Sequence, residues 1–389
     1  MGKWARLRRG KVAAALSGGA PPRNPLKNFT HTPMLKIEHK FVMEMLKPDG
    51  ASLGLFSPEV DWEPAREYVR LLGLRRGLAG GEAVVEPVWD EKTGEPNASG
   101  ARLTDGAAVG EIAREYFKPL AVGISGELVE KKILKPGELF LYKILAFRNP
   151  PEPANGSGFA FSVRDTSPPL PFIDSPLSLL ESASVACGEA VAGDVPVFIP
   201  QHVFDEAEAL TLEAGEVETG GILIGNIHRD AGLPEIAVVI TAQIPARHTE
   251  SKTTSLTYTA DTWTAVQAAL DLRKSDEVML GWWHSHPSFK FCNAECPPER
   301  RRDCALQKPF LSGDDLLLHR AVFPKAYHIA LLANLADAGL DFSLYGWRHG
   351  VVRRRGFNVL GATERLREKT KFSTQTSTGE TDHDSSCEK

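Results

Sequence analysis

The chain has 389 residues, of which 42% are hydrophobic and 24% charged, and its net charge is −5 at pH 7. Length and composition are those of an ordinary folded chain with room for two domains, whose core can be buried without disulfides. The slightly acidic balance creates no field for nucleic acid or anionic lipid. No apolar run approaches the ~18–20 residues of a membrane span, and the one near the start is too short for a secretory signal, so a cytoplasmic protein without nucleic-acid or membrane partners is expected.

Residues 1–34 carry Lys3, Arg6, Arg8, Arg9 and Lys11 and are expected to form a flexible basic arm. Residues 35–148 mix helical spacing at 63–74 and 109–117 with a strand-like run at 139–146, which predicts a small α+β domain. It holds no chemistry-bearing motif, so its role is open, with binding or positioning as the default. Residues 149–189 open with Asn149-Pro150-Pro151-Glu152-Pro153 and read as a proline-rich linker. From 190 to 360 helical and strand patterns alternate. A strand at 220–224 is followed by another at 236–244, a helix at 261–273, a strand at 278–283, a helix after Ser312, and strands at 326–332 and 340–348. Residues 361–389 are polar and predict a disordered tail.

Chemistry concentrates in the second domain. The run Trp282-Trp283-His284-Ser285-His286-Pro287 ends a strand, and a strand sends alternate side chains to one face, so His284 and His286 point together. Pro287 stops the ladder and leaves the rings at its end. Downstream, Ser312-Gly313-Asp314-Asp315 starts a helix on which Ser312 and Asp315 are neighbours. Two imidazoles and one carboxylate make three ligands for a tetrahedral metal with one position left for water, the arrangement of catalytic rather than structural zinc. Upstream, Glu218-Thr219-Gly220-Gly221 sets a carboxylate just before a strand whose glycines permit close backbone approach.

In this order, Glu218-x-x-Gly221, His284-x-His286-Pro287 and Ser312-x-x-Asp315 resemble the signature of the JAB/MPN (JAMM) metalloproteases, over roughly residues 190–360. The resemblance implies an α/β fold, a mixed sheet flanked by helices and similar to that of cytidine deaminases. It implies Zn2+ held by His284, His286 and Asp315, Glu218 as general base and acid, and Ser312 as an oxyanion donor. It further implies hydrolysis of the peptide or isopeptide bond after the C-terminus of ubiquitin or a ubiquitin-like protein, with conjugation proteins of the E1/E2 kind as partners. A non-catalytic MPN scaffold is the alternative. A zinc deaminase would need His-x-Glu and Pro-Cys-x-x-Cys, and neither occurs.

Taken singly, each fragment has an ordinary explanation. Ser312-x-x-Asp315 is also a helix-capping pattern, the histidines could pack in a core, and Glu218 could solvate a loop beside Glu213 and Glu216. Asp314 could replace Asp315, and His319 lies one turn further along. His228, His248, His319, His328 and His349 read as packing or surface residues, and Arg353-Arg354-Arg355 as a solvated basic edge that could meet an acidic partner. The sequence departs from the family in a long insertion, 288–311. Cys292, Cys296 and Cys304 fall inside it and could bind a second, structural zinc if Asp303, His319 or a partner gave a fourth ligand.

Overall fold

The computed structural model describes residues 36–362 apart from 79, 82, 150–169, 231, 247–248, 253–254, 274, 293–295 and 302–303. The expected basic arm, most of the tail and the proline-dense part of the linker lie outside the described residues.

The N-terminal part is a seven-stranded sheet. Its strands are β1 (Lys36–Ile37), β2 (His39–Leu46), β3 (Ser52–Phe56), β4 (Ala83–Trp89), β5 (Asn97–Asp105), β6 (Ala108–Ala113) and β7 (Leu141–Arg148), with helices α1 (Glu63–Arg75) and α2 (Lys118–Glu130). Each helix has a proline in its first turn, where the missing N–H costs nothing. The expected helix at 109–117 is absent. That segment is β6 followed by a 3-10 turn at Arg114–Phe117, and β6 buries every second residue, Ala108, Gly110 and Ile112. Pairing with β5 rewards this period of two, and the helix is delayed to Lys118, next to Pro119.

The C-terminal part is a ten-stranded mixed sheet. It comprises β8 (Phe172–Asp174), β9 (Ser184–Cys187), β10 (Val197–Pro200), β11 (Gly220–Arg229), β12 (Ile236–Pro245), β15 (Val278–His286), β16 (Ile329–Ala336), β17 (Gly339–Arg348), β18 (Val351–Arg355) and β19 (Phe357–Leu360), while β13 (Thr249–Lys252) and β14 (Ser255–Tyr258) form a separate hairpin. The helices are α3 (Leu177–Ser182), α4 (Gln201–Ala214), α5 (Ala260–Arg273), α6 (Pro298–Arg301) and α7 (Gly313–Val322). The expected linker reached 189, but 172–187 are built into this sheet, since β8 pairs with β11 and β9 with β19.

Strands β11, β15 and β16 are covered on both faces, which is why they read as nearly continuous apolar runs. Leu223, Trp283 and Leu331 face one core together with Val203, Phe204 and Ala207 of α4. Ile222, Trp282 and Leu332 face the opposite core with Val266 of α5 and Leu318 of α7. By the alternation of a strand, His284 and His286 share the face of Trp282 and so look toward α7.

The two sheets are packed together by α1. Its Leu71 sits in the core of the second sheet, Arg75 Nε pairs with Glu235 at 2.8 Å, and Glu67 receives Lys325 Nζ at 3.1 Å. At the β17–β18 turn, a Cβ on Gly350 would stand 2.7 Å from the Tyr116 ring and 3.0 Å from the Ala65 nitrogen, so glycine there permits the close approach. Arg355, expected on a solvated edge, is instead buried beside Asp194 and donates to the Val195 carbonyl. Burial holds its guanidinium down to about 10.

Candidate metal centre

Strands β15 and β16 are parallel, and parallel neighbours need a crossover connection. Here the crossover is the stretch 287–328, which contains the insertion and α7. A crossover leaves the C-terminal end of its first strand and returns along the sheet face, which brings the start of α7 over the last residues of β15. Topology therefore joins His284 and His286 to Asp315 across nearly thirty residues of chain.

On the other side β11 pairs antiparallel with β15, Gly220 opposite His284. The Ser285 N–H donates to the Thr219 carbonyl at 2.7 Å, and the Thr219 N–H donates to Ser285 Oγ at 3.0 Å. These bonds extend the pairing one residue past the strand and set Glu218 against the histidines. Gly221 is required for this approach, because a Cβ there would lie 2.6 Å from both the Ile244 carbonyl oxygen and Trp283 Nε1. The Trp283 indole N–H donates to Gln243 Oε1 at 3.1 Å, which in turn is held by Glu206 through Nε2 at 2.9 Å.

The functional atoms meet closely. His284 Nε2 and His286 Nε2 are 3.0 Å apart. Asp315 Oδ1 is 3.4 Å from the first and Oδ2 3.5 Å from the second, while Glu218 Oε1 stands 3.7 Å from His286 Nε2. His284 is 0%, His286 2% and Glu218 3% exposed, so water screens these interactions little. Among the described residues neither buried Nδ1 atom meets a hydrogen-bond partner, and each ring turns its Nε2 to the common centre.

The donor set fits a divalent ion. A tetrahedral ion with bonds of about 2.0–2.1 Å has ligands roughly 3.4 Å apart along each edge, close to the spacings found here. Two Nε2 atoms facing each other in a dry site repel through their lone pairs unless a proton or cation lies between them. Two imidazole nitrogens and one carboxylate are a donor set suited to zinc.

Ionisation follows the same geometry. Burial, aided by the negative charge of Asp315, pushes the Glu218 carboxyl up to about 8. Burial also opposes ionisation of Asp315, but the charge of His284 and hydrogen bonds from both histidines, with help from Ser312, hold it well below the usual carboxylate range. His286 is held below its ordinary value chiefly by burial.

Ser312 is the N-cap of α7. Its Oγ accepts from the Asp315 N–H at 3.2 Å, while Asp315 Oδ2 accepts from the Ser312 N–H at 2.7 Å. The capping pattern and the candidate metal triad thus share Asp315, and the cap fixes the direction of its carboxylate. Asp314 is exposed on the same turn, which leaves Asp315 as the acid that faces the imidazoles. His319 does not join the centre. It is fully buried, accepts the Trp282 indole N–H on Nδ1 at 3.1 Å, and is pushed down to about 3 by burial.

Four further neighbours belong to no motif in the sequence. The Trp282 ring stacks on His284 at 4.5 Å and 15°. Phe291 and Phe310, at the two ends of the insertion, pack against His286 at 5.6 and 5.2 Å. Tyr258 donates its hydroxyl to the Trp283 carbonyl at 3.0 Å, and burial followed by the charges of Asp315 and Glu218 raises its phenol well above the usual range. Only the alternation that pairs Trp282 with His284 could have been read in advance.

A mixed α/β sheet carries a His-His-Asp cluster at the end of a central strand, a group that could hold a metal ion. The model of the JAB1/Mov34/MPN/PAD-1 ubiquitin protease family matches residues 195–296, which supports a JAB/MPN-family domain over that stretch. The match spans Glu218, His284 and His286 and ends before Ser312 and Asp315, which geometry adds. No curated protein matches the chain. Among solved structures, protein DSY2949 from Desulfitobacterium hafniense is similar at 19% identity with a TM-score of 0.30, over 43% of this chain and 96% of that one. Among the described residues, no helix is long and apolar enough to cross a membrane.

Proposed function

We propose that the C-terminal domain is a zinc-dependent peptidase or isopeptidase that cleaves the bond after the C-terminus of ubiquitin or a ubiquitin-like protein. The reading is carried by the meeting of His284, His286 and Asp315 within 4.8 Å of one another. His284 and His286 would hold the ion through Nε2 and Asp315 through its carboxylate; when bound, Zn2+ supplies Lewis-acid polarisation of a carbonyl and of water.

The chain's own residues do the rest. Glu218, in its ionised form, takes a proton from the water whose oxygen bonds to the scissile carbon, and returns that proton to the amine as the C–N bond breaks. Ser312 accepts on its oxygen from the helix, which leaves its hydroxyl hydrogen to donate to the carbonyl oxygen as charge develops there. The capping box keeps Asp315 aimed without reorganisation. Phe291 and Phe310 exclude water beside His286. The N-terminal sheet positions substrate or a conjugation protein of the E1/E2 kind.

The test is hydrolysis of a fluorogenic amide attached to a ubiquitin-like C-terminal tail. Wild-type protein cleaves it, a chelator abolishes cleavage, and Glu218→Gln lowers the rate by about 10²–10⁴-fold, the usual worth of a general acid–base group. Full activity in Glu218→Gln refutes the assignment. One observation favours a scaffold instead, namely the near-complete burial of the centre. A zinc-loaded protein that cleaves nothing yet binds partners normally would select that reading.

A further inference from the structure

The insertion between β15 and α7 brings three thiols together. The Sγ atoms of Cys292, Cys296 and Cys304 lie within 4.8 Å of one another, and none is in a disulfide. We propose that these cysteines form a second metal site, a thiolate cage for a borderline-soft divalent cation of the Zn2+ class, which staples the insertion beside the histidines. It contains no residue of the His-Asp centre and does not depend on how that centre is read.

The chemistry suits such an ion. Zinc–sulfur bonds of about 2.3 Å place sulfurs of a tetrahedral site roughly 3.8 Å apart, within the spread of this cluster. Three unligated thiols so close compete for protons. The backbone N–H groups of Leu306 and Gln307 lie within hydrogen-bond reach of the Cys304 sulfur. Backbone N–H groups beside a sulfur stabilise its thiolate, which is the form that binds metal. On loading, each thiol loses its proton to solvent, three sulfurs bind, and a water or another non-sulfur donor takes the fourth position. The cluster then carries excess negative charge, and Arg301 lies against it, its Nε donating to the Cys296 carbonyl at 3.4 Å.

The surroundings give the staple a purpose. Cys292 follows Phe291, and the Phe291 and Phe310 rings are 6.2 Å apart with His286 between them in contact with both. Past Cys304 the loop is tied to the sheet, because the Gln307 carbonyl accepts from Asn334 Nδ2 at 2.9 Å and its side chain is bonded twice to Asp337 at 2.8 Å. Between these anchors the described residues of the loop form only short helical turns, and the three thiols converge there. His319 stays outside the cluster, engaged with Trp282.

The test uses the full chain, purified reduced and metal-free, then titrated with Co2+. Wild-type protein develops a thiolate-to-cobalt charge-transfer band in the near ultraviolet, which the His-Asp centre cannot produce because it has no sulfur. The band persists in His284→Ala and disappears in Cys292→Ser/Cys296→Ser. With Zn2+, His284→Ala retains one equivalent per chain, and that zinc shields the three thiols from a disulfide reagent until a chelator is added. Absence of the band from wild-type protein, or a disulfide between any two of these cysteines after reducing purification, overturns the proposal whether or not the variants fold. Loss of peptidase activity in His284→Ala alone touches the first centre and leaves this site standing.

Discussion

Ser312 offers a sharp test because the structure gives it two separable jobs. Replacement by Ala deletes the bond its Oγ accepts from the Asp315 N–H but leaves the reciprocal bond from the Ser312 N–H to Asp315 Oδ2, which needs no serine side chain. The cost is that of one N-cap, about 1 kcal/mol within a usual range of roughly 0.5–2. For a unit of this size, that lowers the melting temperature by about 2–4 °C. A stability of several kcal/mol leaves the folded fraction almost unchanged, so the cap alone predicts nearly full activity. If the hydroxyl also donates to the developing oxyanion, hydrolysis falls by about 10²–10³-fold. Ser312→Asn separates the effects, since Asn caps as well as Ser but lacks the hydroxyl. It should melt within a degree or so of wild type while matching Ser312→Ala in lost rate. Calorimetry and the fluorogenic assay on the two variants decide. Full activity in both, with only the Ala variant less stable, would reduce Ser312 to a helix cap and refute the oxyanion role.

Two further expectations follow from burial and packing. In chelated protein, Glu218 holds a proton up to about 8 that the unfolded chain releases from 4.5 upward, so its contribution to stability declines as pH rises through that window. His286, held below 6.5, gives the opposite slope below that value, and the depressed Asp315 acts only below 3.8. The difference in melting temperature between wild type and Glu218→Gln should therefore shift against wild type between about pH 4.5 and 8, and a pH-independent difference would contradict the raised carboxyl. Gly221→Ala forces a Cβ within 2.6 Å of backbone and indole atoms and should cost about 1–3 kcal/mol or more in denaturant unfolding, with lost metal affinity because Glu218 and β15 move apart. A variant as stable as wild type would show that the strands can part freely.

The candidate site was legible in the sequence to an unusual depth because its parts obey short-range rules. The two-residue spacing of His284 and His286 fixes a common face, and Ser312-x-x-Asp315 writes a helix start. What the sequence could not supply was the distance between these parts, since that depends on β15 and β16 being parallel and on the return of α7. The misreadings have the same origin. At 109–117 both periods could be fitted, and pairing with β5 selected the strand. Residues 172–187 look like linker because their partners, β11 and β19, are distant in sequence. Arg355 ends an arginine run that looks solvated, and only the approach of Asp194 and the Val195 carbonyl buries it. The aromatic walls Phe291 and Phe310 sit in irregular chain, where no period announces a neighbour.

The most direct test of the central idea is anomalous diffraction at the zinc edge from crystals of the zinc-loaded protein. A strong peak bounded by His284 Nε2, His286 Nε2 and the Asp315 carboxylate, with Glu218 beside it, is the predicted result. Fully loaded crystals with no anomalous scatterer at that point would contradict the assignment of this centre as a metal site, and the peptidase reading with it.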